Sequence, residues 1–339
     1  NVFEPDGTSG PFVLGIRPVV ALSETVVVEV RARFEPDRVL SRRVILRDLD
    51  YDLDPQAGTI LLRAPLAPFD EGLNPLRLVV LYEARAGVDR WTTGGRLAVR
   101  ADERFEVGTT AILEQRAGED MSLYGVDARW QPVAGTRIRA EVASSDVGEG
   151  ADLAYRIEVG SRTRPDLTWD VSWRDLPVGF SNGSYLGAPE LGSRRGRGAV
   201  VWDASRELRV RGEATHQIDD VNDLTRSTAA VDVERDVGPF TMIGGLTHAR
   251  SDGTTVGTGD STLLRAGLRG RWAERWTIEL LRDEPLSGGD ALGFPGRTRA
   301  GLGYQLRPGL RAFALQEWED GDAARDRTSA GIEGRITET

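Results

Sequence analysis

Arginine and carboxylate side chains recur at every second position along much of this 339-residue chain, a spacing that groups them on one face of a β-strand. Arg265 and Arg269, for example, alternate with Leu264 and Leu268. A row of guanidinium groups facing water would favour the passage of anions. The same row interleaved with carboxylates would instead form ion pairs that stiffen a wetted wall. The residues that the alternation assigns to this charged lining are Arg137, Arg139, Glu141, Arg156, Glu158, Arg209, Arg211, Glu213, Arg265, Arg269, Arg271, Arg275, Glu279, Arg297, Arg299, Glu333 and Arg335.

The segment from Thr262 to Leu280 shows which element positions such side chains. Apolar and polar residues alternate without a break up to Trp272, and the alternation resumes at Trp276 after the short stretch 273–275. Because successive side chains of a strand point to opposite faces, this pattern predicts a β-hairpin with one apolar and one charged face.

The same pattern repeats from Trp91 to the end of the chain. Short connections, such as 131–135 and 272–275, alternate with longer polar ones, such as 175–196 and 283–296. Tight turns at one edge and longer loops at the other are typical of a transmembrane barrel, so the sequence predicts an antiparallel transmembrane β-barrel of about 16 strands. The longest connection folds inward as a constriction in one interpretation and is an exposed surface loop in the other.

Soluble sandwiches, propellers and β-helices also have alternating strands, but the charged face of this chain would resist burial in a sandwich. Trp91, Trp130, Trp272 and Trp276 fall at strand ends on the apolar side, as in the aromatic girdle of a membrane barrel. The pattern therefore favours the lipid bilayer of a bacterial outer membrane as the partner of the apolar face.

Composition excludes several classes of protein. The chain has no cysteine and no lysine, so disulfides, thiol chemistry and a phosphate-binding loop of the P-loop type are absent. A net charge of −10 argues against nucleic acid as a partner. The mean hydropathy is −0.33, and no apolar run approaches the about 20 residues of a membrane-spanning helix.

Signals for catalysis are weak. The two histidines, His216 and His248, have no serine with a convincing partner pattern nearby, so we expect no enzyme and no cofactor. The alternating carboxylates of Asp48 to Asp54 would suit Ca²⁺, but the spacing of a calcium-binding loop with its closing glutamate is missing. A solvated acidic turn without a metal is the preferred interpretation.

The first part of the chain has a different character. Runs such as Val26-Val27-Val28 are apolar on both faces, as in the core of a β-sandwich, and Pro, Asn and Gly separate short strands. We therefore expect a small soluble β-domain over residues 1–75, periplasmic or plug-like, followed by the barrel over residues 76–339. The strand 76–84 was needed to give the barrel an even number of strands.

Four segments of this region resemble a module of large bacterial outer-membrane surface proteins. They are Ser23-Glu24, Asp50 to Asp54, Gly58 to Ile60 and Val80 to Glu83. In that module a Ser-Glu pair opens a strand, an Asp-Tyr segment with a later Gly-x-Ile follows, and a strand ending in Tyr-Glu closes it. The resemblance covers roughly a quarter of the chain and implies a class of envelope protein rather than an activity.

Two functions remain open at this stage. One is an outer-membrane channel with a polar, charged lumen for solute passage. The other is a structural, anchoring or secretion-related surface protein whose barrel is plugged or belongs to a larger assembly with other envelope proteins. The terminal module favours the second, as does the ending Arg335 to Thr339, which lacks the aromatic residue usual at the end of bacterial barrels.

Overall fold

The computed structural model describes residues 1–32, 35–70, 72–84, 91–115, 120–148, 150–181, 192–254, 258–273, 275–288, 295–320 and 325–334. The chain divides into two compact units, Asn1–Asp89 and Arg90–Thr339. Regular structure in the described residues is entirely β, which confirms the predicted all-β class. None of it is a helix long and apolar enough to cross a membrane.

The first unit contains seven strands in two small sheets. The larger has the order β1-β7-β3-β4 and the smaller the order β2-β6-β5. The strands are β1 (Val2–Phe3), β2 (Phe12–Val13), β3 (Thr25–Ala32), β4 (Glu35–Ile45), β5 (Tyr51–Asp54), β6 (Thr59–Leu62) and β7 (Leu76–Leu81).

One hydrophobic cluster joins the two sheets of this unit. Val26 of β3 and Val80 of β7 come from the larger sheet, and Tyr51 of β5 and Ile60 of β6 come from the smaller one. Each of these side chains is at most 2% exposed. The buried side chains of the two sheets thus pack against each other as a sandwich-like core, as the apolar runs predicted.

The structure corrects the predicted boundary between the domains. We expected Leu76 to Ala84 to begin the barrel, but β7 lies between β1 and β3 in the first unit. Its Leu78 and Val80 are fully buried in the core of that unit, which extends to Asp89. Burial of these two apolar side chains stabilises the first unit, and it outweighs the preference of membrane barrels for an even number of strands.

The described residues of the second unit form one antiparallel sheet of fifteen strands that follow one another in sequence order. The strands are β8 (Thr92–Arg100), β9 (Phe105–Glu114), β10 (Met121–Trp130), β11 (Thr136–Asp146), β12 (Ala151–Arg164), β13 (Leu167–Leu176), β14 (Ser193–Asp203), β15 (Leu208–Asp219), β16 (Leu224–Val237), β17 (Phe240–Gly253), β18 (Gly259–Trp272), β19 (Trp276–Ser287), β20 (Arg297–Arg307), β21 (Leu310–Glu319) and β22 (Arg325–Gly334).

Every neighbouring pair in this sheet is joined by a hairpin connection. We call the end with connections 101–104, 131–135, 165–166, 204–207, 238–239, 273–275 and 308–309 the turn end, and the opposite end the loop end. The hairpin predicted around Trp272 is present, with Trp272 opposite Trp276 and Leu268 opposite Leu280. Pairing between the edge strands β8 and β22 is not found among the described residues.

Candidate functional site

The side chains of the large sheet form two faces of different chemistry. Asp127, Glu141 and Arg156 lie opposite one another on three adjacent strands, and we call their side of the sheet the charged face. Val126 lies opposite Val142 on the other side, which we call the apolar face. The register between strands therefore places charged residues next to charged residues and apolar residues next to apolar ones. The alternation within each strand thus produces two continuous faces across the sheet.

The apolar face is open to its surroundings, whereas some carboxylates of the charged face are buried. Leu97, Leu246 and Leu280 of the apolar face are 70%, 49% and 48% exposed. On the charged face Asp283 and Glu317 are only 2% and 1% exposed. This arrangement is the reverse of a soluble fold, and an exposed apolar surface of this extent is the mark of a lipid or protein contact.

Two ion pairs of the charged face reach across an intervening strand. From β18, Arg265 Nη1 lies 3.6 Å from Asp232 Oδ1 and Arg269 Nη2 lies 3.5 Å from Glu234 Oε2, both on β16. The strand between them, β17, carries Gly245 beside this contact. A Cβ added to Gly245 would lie 2.3 Å from Asp232 Oδ1, so a glycine is required for the carboxylate to keep its position.

The same arrangement recurs near the first edge of the sheet. Arg96 of β8 makes two contacts with Asp127 of β10, at 3.1 Å and 2.6 Å, across β9. Gly108 of β9 lies beneath this pair, and a Cβ there would lie 2.4 Å from Arg96 Nη2. Glycine on the central strand thus opens the space through which the outer two strands are bridged.

Neighbouring strands are also paired directly. Arg265 binds Asp283 through two contacts, at 2.8 Å and 2.9 Å, in the parallel geometry that suits a guanidinium and a carboxylate. Arg211 Nη1 lies 2.9 Å from Glu234 Oε1. Because Asp232 and Glu234 also contact arginines of β18, the charges form connected groups rather than isolated pairs.

A second connected group lies on β19 to β22. Arg299 of β20 lies 2.8 Å from Glu279 of β19 and in close contact with Glu317 of β21. Glu317 also lies 3.6 Å from Arg327 of β22. Two arginines flank the buried carboxylate of Glu317, which offsets the cost of removing it from water.

A third group lies on β11 to β15. Arg197 Nη2 lies 3.0 Å from Glu213 Oε2, and Arg197 is also in close contact with Asp170. Arg139 is more loosely placed, with Nη1 3.8 Å from Glu158 Oε2. Together the three groups favour, for these residues, the ion-paired wall over an unbroken row of free arginines.

The structure places the predicted lining residues as follows. Those within described strands lie on the charged face, and Arg275 lies in the connection between β18 and β19. Glu333 pairs through its backbone with Arg311, but its side chain and the whole of Arg335 lie outside the described residues. The prediction emphasised arginine and missed the carboxylates that complete the groups. These carboxylates occupy the same alternate positions, which was the available signal: Asp127, Asp170, Asp232, Glu234, Asp283, Glu317 and Glu319.

The predicted tryptophans lie at both ends of the apolar face. Trp130 and Trp272 are 47% and 60% exposed at the turn end, and Trp276 lies with its ring centre 4.7 Å from that of Tyr304. Trp91, 49% exposed, precedes β8 at the loop end. Phe105, Trp202 and Phe240 also occupy the apolar face at the turn end, so the aromatic residues at this end extend beyond the predicted tryptophans.

The start of the longest connection turns onto the charged face. Phe180 is 5% exposed and packs with Met121, Leu123 and Ala154 near the loop end. The Ser181 N–H donates a hydrogen bond of 2.8 Å to the Ser145 hydroxyl. Of the two sequence interpretations, the described part of this connection follows the inward one, and residues 182–191 lie outside the described residues.

Both histidines lie on the apolar face. His216 Nδ1 is 2.9 Å from the Ser227 hydroxyl, and His248 Nδ1 is 3.1 Å from the Thr262 hydroxyl. Each is a cross-strand contact between directly opposed residues. A nucleophilic serine also needs an oriented base and oxyanion donors, and these two contacts supply only a pair of side chains each.

The acidic run of the first unit is used within its own turns. The Asp50 carboxylate accepts the Leu46 N–H at 2.8 Å, and Asp52 lies 2.9 Å from Arg63. Asp54 accepts two backbone N–H groups of the turn after β5. No group of three His, Cys, Asp or Glu side chains suited to a metal ion occurs in the part of the chain that the structure describes.

Comparison with known proteins gives distant structural likenesses only. No family model matches the sequence, and no curated protein does. The chain is similar to a bacterial polysaccharide outer-membrane secretin at 9% identity, covering 93% of this chain and 99% of that one, with a TM-score of 0.38. A triple mutant of the Rhodopseudomonas blastica porin gives 10% identity, 92% and 97% coverage and a TM-score of 0.35. A chain of the E. coli P pilus tip assembly intermediate PapC-PapD-PapK-PapG gives 14% identity, 96% and 46% coverage and a TM-score of 0.45.

Proposed function

We propose that the second unit is a transmembrane β-barrel of a bacterial outer membrane, and that its charged face lines a lumen for the passage of small polar solutes. In this arrangement the apolar face contacts lipid and the ion-paired groups contact water. The first unit is a separate β-domain, periplasmic or plug-like. The proposal depends on the chemistry of the two faces, because only a membrane or another protein would cover so much exposed apolar surface.

The length of the apolar stretch carries the proposal. On β18 the apolar face runs from Trp272 at the turn end to Thr262. The next residue on the same face is Asp260, which is polar. The ten steps from Thr262 to Trp272, at about 3.4 Å each, span about 34 Å along the strand. A strand tilt of about 40° reduces this to about 26 Å, which matches the apolar band of about 25 Å in outer-membrane barrels.

The pairing of charges predicts the kind of channel. Arginines of the three groups each contact one or more carboxylates, so the wall offers both signs of charge to a passing solute. Such a wall holds water and small polar molecules without a strong overall preference for anions or cations. A local excess of one sign would still produce selectivity at that place.

A plugged or anchoring barrel is the second candidate, and one observation favours it. At the loop end the charged face is closely packed: Ala249, Ser251 and Ser261 are completely buried, and Leu263 is 2% exposed. Phe180 adds a further apolar side chain to this end. A lumen closed at the loop end would conduct no ions even though the outer surface of the barrel is embedded in lipid.

Reconstitution tests both candidates. The purified chain is refolded into lipid vesicles, its migration on a gel is compared with and without heating, and current is recorded across a planar bilayer. Heat-modifiable migration with stable current steps is the result expected of the channel. The same migration without current would select the plugged barrel. A monomer that stays dispersed without detergent or lipid would contradict a membrane location for the second unit.

A further inference from the structure

Four arginines and two carboxylates line a cavity of about 630 Å³ on the charged face near the turn end. The arginines are Arg137, Arg139, Arg162 and Arg197, and the carboxylates are Glu158 and Asp170. The cavity therefore carries two positive charges more than negative ones. Its volume lies in the range of sites for small organic ligands, which is about 300–1,000 Å³.

The excess charge is concentrated on two of these arginines. Arg197 is bound to Asp170 and Glu213, and Arg139 is within 3.8 Å of Glu158. Among the described residues, neither Arg137 nor Arg162 has a carboxylate within 4 Å; Arg162 Nε donates only to the Thr168 hydroxyl, at 3.3 Å. Both side chains are exposed toward the cavity and keep their donors available to a solute.

A glycine lies between the charged residues that line the cavity. Gly160 lies directly opposite Arg137 on one side and opposite Asp170 on the other. Gly160 adds no side chain between these two residues, and a Cβ there would meet only Trp169 O and Asp170 Cβ within 4 Å, at 3.7 and 3.8 Å. Thr168 and Ser172 contribute hydroxyl groups to the same cavity, and these can donate to oxyanions.

We propose that this cavity is a binding site for a small solute bearing a phosphate, sulfate or carboxylate group. The inference deepens the proposed channel, because it gives an otherwise balanced wall one position that selects anions. Guanidinium groups suit such ligands because their planar donors match two oxygens of the same group. Arg137 and Arg162 are the residues that select the solute, and Arg139 and Arg197 hold the carboxylates away from it.

The test uses inorganic phosphate as the probe and the full chain in lipid nanodiscs. Phosphate binding is followed by the line width of its ³¹P NMR signal, and phosphate block of the current is followed in planar bilayers. Substitution of both Arg137→Gln and Arg162→Gln is expected to weaken phosphate binding and block by about tenfold or more, since charge-assisted hydrogen bonds are lost. The matched control is Arg271→Gln together with Arg307→Gln, which also removes two positive charges at the turn end, outside the cavity.

The outcomes separate this site from the channel itself. Phosphate binding that falls in the Arg137→Gln/Arg162→Gln variant and is unchanged in the Arg271→Gln/Arg307→Gln control supports the site, with or without current. A chain that binds phosphate but carries no current loses the channel and keeps the site. Equal phosphate affinity in all three proteins would overturn the site, as would an equal loss in the control, which would indicate general attraction to positive charge.

Discussion

Gly245→Ala provides a sharp test of the bridges across strands, because the residue before it supplies a matched control. A Cβ at position 245 would lie 2.3 Å from Asp232 Oδ1 and 3.1 Å from the Val231 carbonyl oxygen. The Asp232 carboxylate would have to retreat by about 1 Å, since Cβ contacts under about 3.3 Å are tight. That movement breaks the contact between Asp232 and Arg265, whose charged atoms lie 3.6 Å apart in the wild-type structure.

The expected magnitude is the sum of three effects. Loss of this partly buried ion pair costs about 0.5–1 kcal/mol, and crowding of the neighbouring side chains costs about 1–3 kcal/mol. Alanine also lowers the conformational entropy of the unfolded chain, which stabilises the folded state by about 0.4–1 kcal/mol. We therefore expect Gly245→Ala to lower the free energy of unfolding by about 0.5–3.5 kcal/mol.

Gly244→Ala should have the opposite sign. Position 244 points to the apolar face, and a Cβ there would meet no atom within 4 Å. Only the entropy term remains, so this variant should be more stable by about 0.4–1 kcal/mol. Both variants are measured by denaturant unfolding in lipid vesicles, followed by tryptophan fluorescence.

A double variant decides whether the carboxylate is the cause. In the Asp232→Ala background most of the cost of Gly245→Ala should disappear, leaving only the contact with the Val231 carbonyl. If the cost is the same in both backgrounds, or if Gly244→Ala is equally harmful, the bridge across β17 is refuted as the reason for glycine at position 245.

Three further predictions concern other parts of the molecule. Leu268→Arg on the apolar face should impair insertion by about 2–4 kcal/mol, whereas Arg269→Leu on the opposite face should alter conductance and leave insertion nearly intact; equal effects on vesicle insertion would contradict the assigned faces. Phe180→Ala should remove about 3 kcal/mol of packing at the loop end and raise the single-channel conductance, and an unchanged conductance would place Phe180 away from the solute path. Burial, followed by the neighbouring Glu24 carboxylate, raises the pKa of Tyr51 to about 12. Because unfolded tyrosine ionises near pH 10, the first unit should lose up to about 3 kcal/mol as the pH rises from about 10 to 12, a loss absent in Tyr51→Phe by denaturant unfolding.

The predictable part of this structure is the part determined by neighbours along the strand. Leu264, Arg265, Leu268 and Arg269 alternate in the sequence, and that alternation alone indicated the faces and the hairpin at Trp272. Connections rich in polar residues marked where strands end. These signals are local, so they can be read from the sequence without knowing which strands are adjacent.

The ion-pair groups could not be predicted in the same way, because they depend on register. Arg265 finds its partners at Asp232 and Asp283, on two other strands, and only the pairing of β16 to β19 brings them together. Gly245 carries no chemistry of its own in the sequence. Its role is visible only when the atoms that a side chain would displace are known.

The strand count of the second unit follows from packing in the first. The fifteen strands of the described residues leave β8 and β22 running in the same direction, so a direct closure of these strands would join β8 and β22 as a parallel pair. A strand at 76–84, preceding β8, would supply the opposite direction and make the number even. Leu78 and Val80 instead hold β7 between β1 and β3, where each fully buried side chain contributes about 2 kcal/mol. The core of the small domain therefore determines which strands remain to build the large sheet.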